Sequence, residues 1–251
     1  MIPEFLDEFR DELEKFKLES IKIKASPNSG GKPLSFTQSK FLGKPYLPTG
    51  IEYPKDKLGS PMILLAQINF AETPPLENYP TEGILQFFIS PTEWYDMEDY
   101  KILFHKTIEG EYQRDFSFLT EELYGESPVY CEHTLAFEKN VEYGGYEDFR
   151  FDMDFGGKGY DGFQEKLTEG QKTEMDGILD GTGHKIGGYA FFTQSDVRDY
   201  NEKQKEDILL LQIDTDEEIM FGDSGVGNLF ISPESLKEKD FEKAWFNWDC
   251  C

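Results

Sequence analysis

The residues with the plainest chemical promise are Gly222-Asp-Ser-Gly225, which copy the nucleophile signature of trypsin-like serine proteases. That mechanism needs a histidine within hydrogen-bond reach of the serine and an acid to orient it. The chain has three histidines, His105, His133 and His184, none in the Ala-Ala-His-Cys type of setting. Val226 and Gly227 stand where glycine and proline would follow. The tetrad therefore reads as a turn into a strand. Gly156-Gly-Lys-Gly-Tyr-Asp-Gly-Phe163 matches one calcium-binding nonapeptide of a parallel β-helix, but such sites draw ligands from tandem copies and here there is one. Asp152, Asp154 and the run Asp214-Thr-Asp-Glu-Glu218 offer oxygens to a hard cation without the loop spacing of an EF-hand. Neither a phosphate loop nor a dinucleotide fingerprint occurs. Carboxylates are too many for an acid/base pair to be singled out by spacing. No catalytic residue, metal or cofactor is expected.

Two glutamines are more informative. Ile208-Leu-Leu-Leu-Gln-Ile213 repeats Ile63-Leu-Leu-Ala-Gln-Ile68 with one change, 145 residues on (63 to 208). The same offset places Lys185-Ile-Gly-Gly188 on Lys40-Phe-Leu-Gly43, and Leu229-Phe-Ile-Ser-Pro233 repeats Phe87-Phe-Ile-Ser-Pro91 after a loop three residues shorter. Ordered matches of this kind mark an internal duplication. Gln67 and Gln212 thus become equivalent polar positions in apolar strands. A buried amide must find partners, and the first expectation is that each bonds backbone in the neighbouring repeat. The alternative is a ligand-binding cleft between repeats, lined by Lys40, Gln67, Lys185 and Gln212, since sites favour the junction of structural units.

The elements follow from periodicity. Residues 3–18 read as an amphipathic helix, with Phe5, Leu6, Phe9, Leu13 and Phe16 at helical spacing. Residues 20–25 alternate as a half-buried strand. Repeat one, 38–105, offers a proline-interrupted extended segment, strands at 62–70 and 83–90, a short acidic helix from Pro91 and a strand at 100–104. Repeat two, 183–249, offers strands at 208–214 and 227–232 and a helix from Pro233. Between them, 106–182 reads as a long insert rich in acidic, aromatic and glycine residues, with a strand at 135–139 and weak helical spacing over 161–170. The fold class is therefore α+β: two related β-β-α-β repeats about a pseudo-twofold, with mostly antiparallel sheet and the whole of 1–251 as a single domain.

Composition limits the partners. The chain carries 25 Lys+Arg against 50 Asp+Glu, a net charge of −25, and is 15% aromatic. Such a field repels nucleic acid and acidic membranes and attracts basic proteins. No secretory signal or membrane-spanning run is visible. Cys131, Cys250 and Cys251 form no disulfide or metal spacing, so a cytoplasmic location is expected.

Ser39-Lys-Phe-Leu-Gly, Tyr46-Leu-Pro, Leu64-Leu-Ala-Gln-Ile-Asn-Phe70, Gly83-Ile-Leu-Gln-Phe-Phe-Ile89 and Phe221-Gly-Asp-Ser-Gly225 together resemble the YwqG-like family of bacterial proteins, a domain of unknown function. The likeness runs from about residue 36 to the end. It implies a cytoplasmic α+β protein with duplicated halves and brings no catalytic residues; Phe221 stands where that family often has tryptophan. The function expected is non-enzymatic: binding a basic protein through an acidic, aromatic-rich face, as an inhibitor or immunity-type protein would. The alternative is a small-molecule binder or an unrecognised enzyme using the inter-repeat cleft.

Overall fold

The computed structural model describes residues 2–251. Ten strands, all antiparallel neighbours, make one sheet in the order β10-β9-β8-β7-β1-β6-β2-β3-β4-β5. The middle is a long ladder between β1 (Leu18–Pro27) and β6 (His133–Glu142), in register from Leu18↔Glu142 to Pro27↔His133. One wing holds β2 (Lys40–Phe41), β3 (Ile63–Asn69), β4 (Ile84–Ile89) and β5 (Tyr100–His105). The other holds β7 (Lys185–Gly187), β8 (Ile208–Ile213), β9 (Val226–Ile231) and β10 (Trp245–Asp249).

The apolar runs of β3, β4 and β9 are buried throughout, and so is β8 after Ile208, because both faces of the sheet are covered. Inside, Ile21, Phe41, Leu65, Phe87, Leu211, Ile231 and Phe246 belong to one core. The sheet curls until its edges meet. Phe87 and Phe246 rings lie 5.0 Å apart, Phe104 and Phe241 4.5 Å, and the Tyr100 hydroxyl donates to the Ala244 carbonyl at 3.2 Å. The result is a nearly closed barrel.

This overturns the α+β reading of two β-β-α-β repeats separated by an insert. Helix is minor: α1 (Arg10–Leu13), α2 (Tyr160–Gln164), α3 (Glu169–Leu179) and α4 (Pro233–Glu238) have 4, 5, 11 and 6 residues. Residues 3–18 form a short 3-10 turn, α1 and another 3-10 turn, fixed by packing of Leu6 and Leu13 rather than by a capped helix. No helix starts at Pro91; the Ser90 hydroxyl accepts from Thr92 N and Glu93 N and Asp96 accepts from Glu98 N, and these hold turns instead. At Pro233 the helix does form, because Ser232 caps it and Lys239 adopts the left-handed conformation that ends it. The 106–182 stretch is no insert, since it supplies β6 to the centre of the sheet. β6 is a ten-residue strand with Ala136, Glu138, Lys139 and Val141 exposed, so no clean apolar–polar alternation marks its length in the sequence.

No helix among the described residues is long and apolar enough to cross a membrane.

Candidate functional site

The four polar residues expected at a cleft are all buried, and they form two pairs. Lys40 faces Gln67 across β2 and β3, and Lys185 faces Gln212 across β7 and β8. Two strands, β1 and β6, lie between the pairs. Gln67 donates to the carbonyls of Phe36 and Gln38 at 2.8 and 2.7 Å and accepts from Tyr46 N at 2.9 Å. Gln212 donates to Gly181 and Gly183 at 2.9 and 2.8 Å and accepts from Phe191 N at 2.8 Å. The partners lie in the segment draped over each glutamine's own strand, not in the opposite wing as expected. Each amide thus fastens a local cover to the sheet.

The lysines differ. Lys40 Nζ donates to Ser35 O at 2.5 Å and Lys44 O at 2.9 Å, and its burial lowers its pKa to about 8. Lys185 Nζ instead meets Glu142 at 3.1 Å, and that carboxylate also accepts from Ser20 and from Tyr189 N. Lys185 and Glu142 line a cavity of about 140 Å³.

The other motifs resolve into turns. Ser224 sits exposed at φ +57 in a tight loop closed by Gly225 N donating to Phe221 O. Asp154 accepts from Gly157 N and Lys158 N, which folds the glycine run. Asp214 and Asp216 accept from Gly183 N and Glu218 N respectively, and Asp216 also meets His184 Nε2 at 3.1 Å. Cys131 lies 3.9 Å from His133 Nε2. Burial and the neighbouring Glu218, Asp216 and Glu132 push its thiol up, so the nucleophilic thiolate is disfavoured.

Further chemistry lies in a part of the chain that sequence reasoning placed in the insert. A cavity of about 430 Å³ is lined by Tyr146, Glu147, Phe151, Asp152, Met153, Tyr160 and Asp161, with Gly159 and Gly162 at its edge. Its walls are set by packing. Phe9 meets Phe155 and Phe163 edge-on at 5.3 Å, and Phe16 meets Phe151 at 5.1 Å, so the N-terminal segment supports the floor. Asp148 is clamped by Arg150 and by the fully buried Arg198, and it also accepts from Ala190 N; both arginines hold it well below the usual carboxylate range. Asp196 completes this network and accepts from Phe149 N. The chain on either side of Asp148 therefore cannot drift.

Tyr146 and Tyr160 stack face to face, 4.4 Å between centroids and 12° from parallel. The Tyr160 hydroxyl donates to Asp176 on α3, which fixes the ring. Burial, then Asp161 and Asp249, raise the Glu147 carboxyl; burial, then Glu147, Asp180, Asp176 and Asp161, raise the Tyr146 phenol. Burial is the larger cause in each case, and the neighbouring carboxylates add to it in the same direction. No lysine or arginine lines the cavity; Lys158 packs alongside Gly162, outside it. A sequence signal existed in the mixture of Tyr146, Glu147, Asp152, Tyr160 and Asp161, but only the fold brings 146–153 against 159–162.

Residues 39–250 match a family described as a domain of unknown function (DUF1963). No curated protein matches the chain.

Proposed function

We propose that this chain, which belongs to the DUF1963 family, is a binding protein that takes a cationic side chain of a basic partner into the Tyr146–Tyr160 cavity. The carrying observation is a recess with two stacked tyrosines and the carboxylates of Glu147, Asp152 and Asp161, and with no cation in its lining. An ammonium or guanidinium group there gains the carboxylate field, and about 0.5–2 kcal/mol more where it sits on an outer face of the tyrosine stack. The net charge of −25 adds long-range attraction and raises the association rate. This is the physical form an acidic inhibitor or adaptor would need, and it fits the resemblance to YwqG-like bacterial proteins and a cytoplasmic setting.

The test is a nuclear magnetic resonance titration of the whole chain with N-acetyl-lysine methylamide and its arginine counterpart. Saturable shifts are expected at the amides of Tyr146, Glu147, Tyr160 and Gly162, weakened by salt and lost in a Glu147→Gln, Asp161→Asn double variant. Lys158→Ala is expected to tighten binding, since it removes a cation beside the cavity. Shifts elsewhere only, or shifts that survive the double variant, would sink the reading.

A further inference from the structure

We propose a second site: a groove between the wings of the sheet that binds a small carboxylic acid with an apolar body, its carboxylate on Arg150. The groove has a volume of about 290 Å³. Leu76 and Tyr79, on the loop after β3, form one wall; Ile208 and Leu209, at the start of β8, form the other; Leu18 and Arg150 close it. The Tyr79 hydroxyl donates to Leu209 O and ties the two walls together.

Arg150 is the group that needs a ligand. Its Nε and Nη2 donate to Asp148 at 2.8 and 2.6 Å, and Nη2 also donates to Gly188 O at 3.0 Å. Nη1 donates to no group among the described residues, and the side chain is 24% exposed where it lines the groove. Asp148 is shared with Arg198, so its charge is divided between two guanidinium groups. An arginine edge left beside apolar walls favours an anionic oxygen, because charge-assisted hydrogen bonds are strongest where water is scarce.

The rest of the lining defines the class. At the rim, Lys17 already meets Glu14 at 3.5 Å and Glu19 meets Lys139 at 2.8 Å, which leaves Glu77 facing solvent. That carboxylate and the overall −25 disfavour a phosphate or other multiply charged ligand. A monocarboxylate places one charge on Arg150 and gains the remainder from burying its chain against Leu18, Leu76, Ile208 and Leu209. The volume sits at the low end of ligand pockets, so the molecule is small. Gly187 keeps the groove open: at φ +69, a Cβ there would stand 2.9 Å from Leu76 and 3.2 Å from the Tyr79 oxygen.

The experiment compares octanoate with n-octylammonium, which have the same chain length and opposite charge, on the full chain followed by amide resonances. Octanoate is expected to shift Gly187, Gly188 and Leu209 saturably, and n-octylammonium is not. Arg150→Lys keeps the charge but loses the forked donor geometry, and should weaken octanoate about tenfold or more. Because Arg150 also holds Asp148, a second variant is needed. Ile208→Trp fills the groove from a half-buried position, leaves the ion network alone, and should abolish binding. The proposal fails if octanoate leaves those amides unmoved, if both probes shift them equally, or if Ile208→Trp binds as the unaltered chain does.

Discussion

Lys40 shows what a single residue can carry in this sheet. Its ammonium group is fully buried and meets carbonyl oxygens, with no carboxylate bonded to it. Lys185, 145 residues on (40 to 185), has Glu142 in the same role. Desolvation without a paired anion brings Lys40 down to about 8 from an ordinary 10.5. The folded state therefore binds fewer protons than the unfolded chain between those values, and stability contributed at Lys40 rises as pH climbs through that window. Urea unfolding of the protein and of Lys40→Met, from pH 7 to pH 10, checks this. Relative to the variant, the unaltered chain should gain stability with a slope of up to about 1.4 kcal/mol per pH unit. Parallel curves would mean that the buried amine stays charged throughout, its pKa unmoved from the unfolded value.

At the scale of elements, legibility followed burial pattern. The strands β3, β4, β8 and β9 were readable because runs such as Ile84-Leu-Gln-Phe-Phe-Ile89 are apolar on both faces. The glutamines inside them were readable as buried amides, but which backbone satisfies each was not. That depends on segments 36–46 and 181–191 folding back over their own strands. β6 was underread because its exposed residues mix charged Glu138 and Lys139 with apolar Ala136 and Val141, which leaves no clean alternation. The stacked tyrosine cavity was unreadable because the segment holding Tyr146 is positioned by contacts between distant parts of the chain, Asp148 with Arg198 among them. The helices were the weakest guide, since tertiary packing rather than propensity holds most of them. α3 illustrates this. It is capped by Thr168 and Gln171, yet it carries Gly177 in its interior. A Cβ at Gly177 meets nothing within 4 Å. Gly177→Ala should therefore raise stability by about 0.5–1 kcal/mol through lower unfolded-chain entropy and better helix propensity. Calorimetry would register it as a higher Tm, and an unchanged or lower Tm would show that α3 is not helical at that point in solution.

For the whole molecule the decisive feature is how the sheet ends. An open ten-stranded sheet would leave β5 and β10 as unpaired edges, which invite association with other chains. Here the edges are joined by side chains rather than by a continuous ladder: Phe246 lies 3% exposed between Phe87 and Tyr100, and Phe104 packs on Phe241. A seam built this way should open without unfolding the rest, because aromatic contacts can separate while the β3–β4 and β8–β9 ladders persist. Phe246→Ala removes the centre of the seam and should cost about 3–5 kcal/mol. Phe155→Ala, equally buried but in the separate cluster beneath the N-terminal segment, is the control of matched chemistry. Hydrogen exchange distinguishes them. Phe246→Ala should accelerate exchange in β5 and β10 well beyond its effect on β1 and β6, whereas Phe155→Ala should leave β5 and β10 close to their original protection. If both variants loosen all ten strands alike, the barrel opens only by unfolding as a unit, and the edges are held by the whole core instead of by the seam.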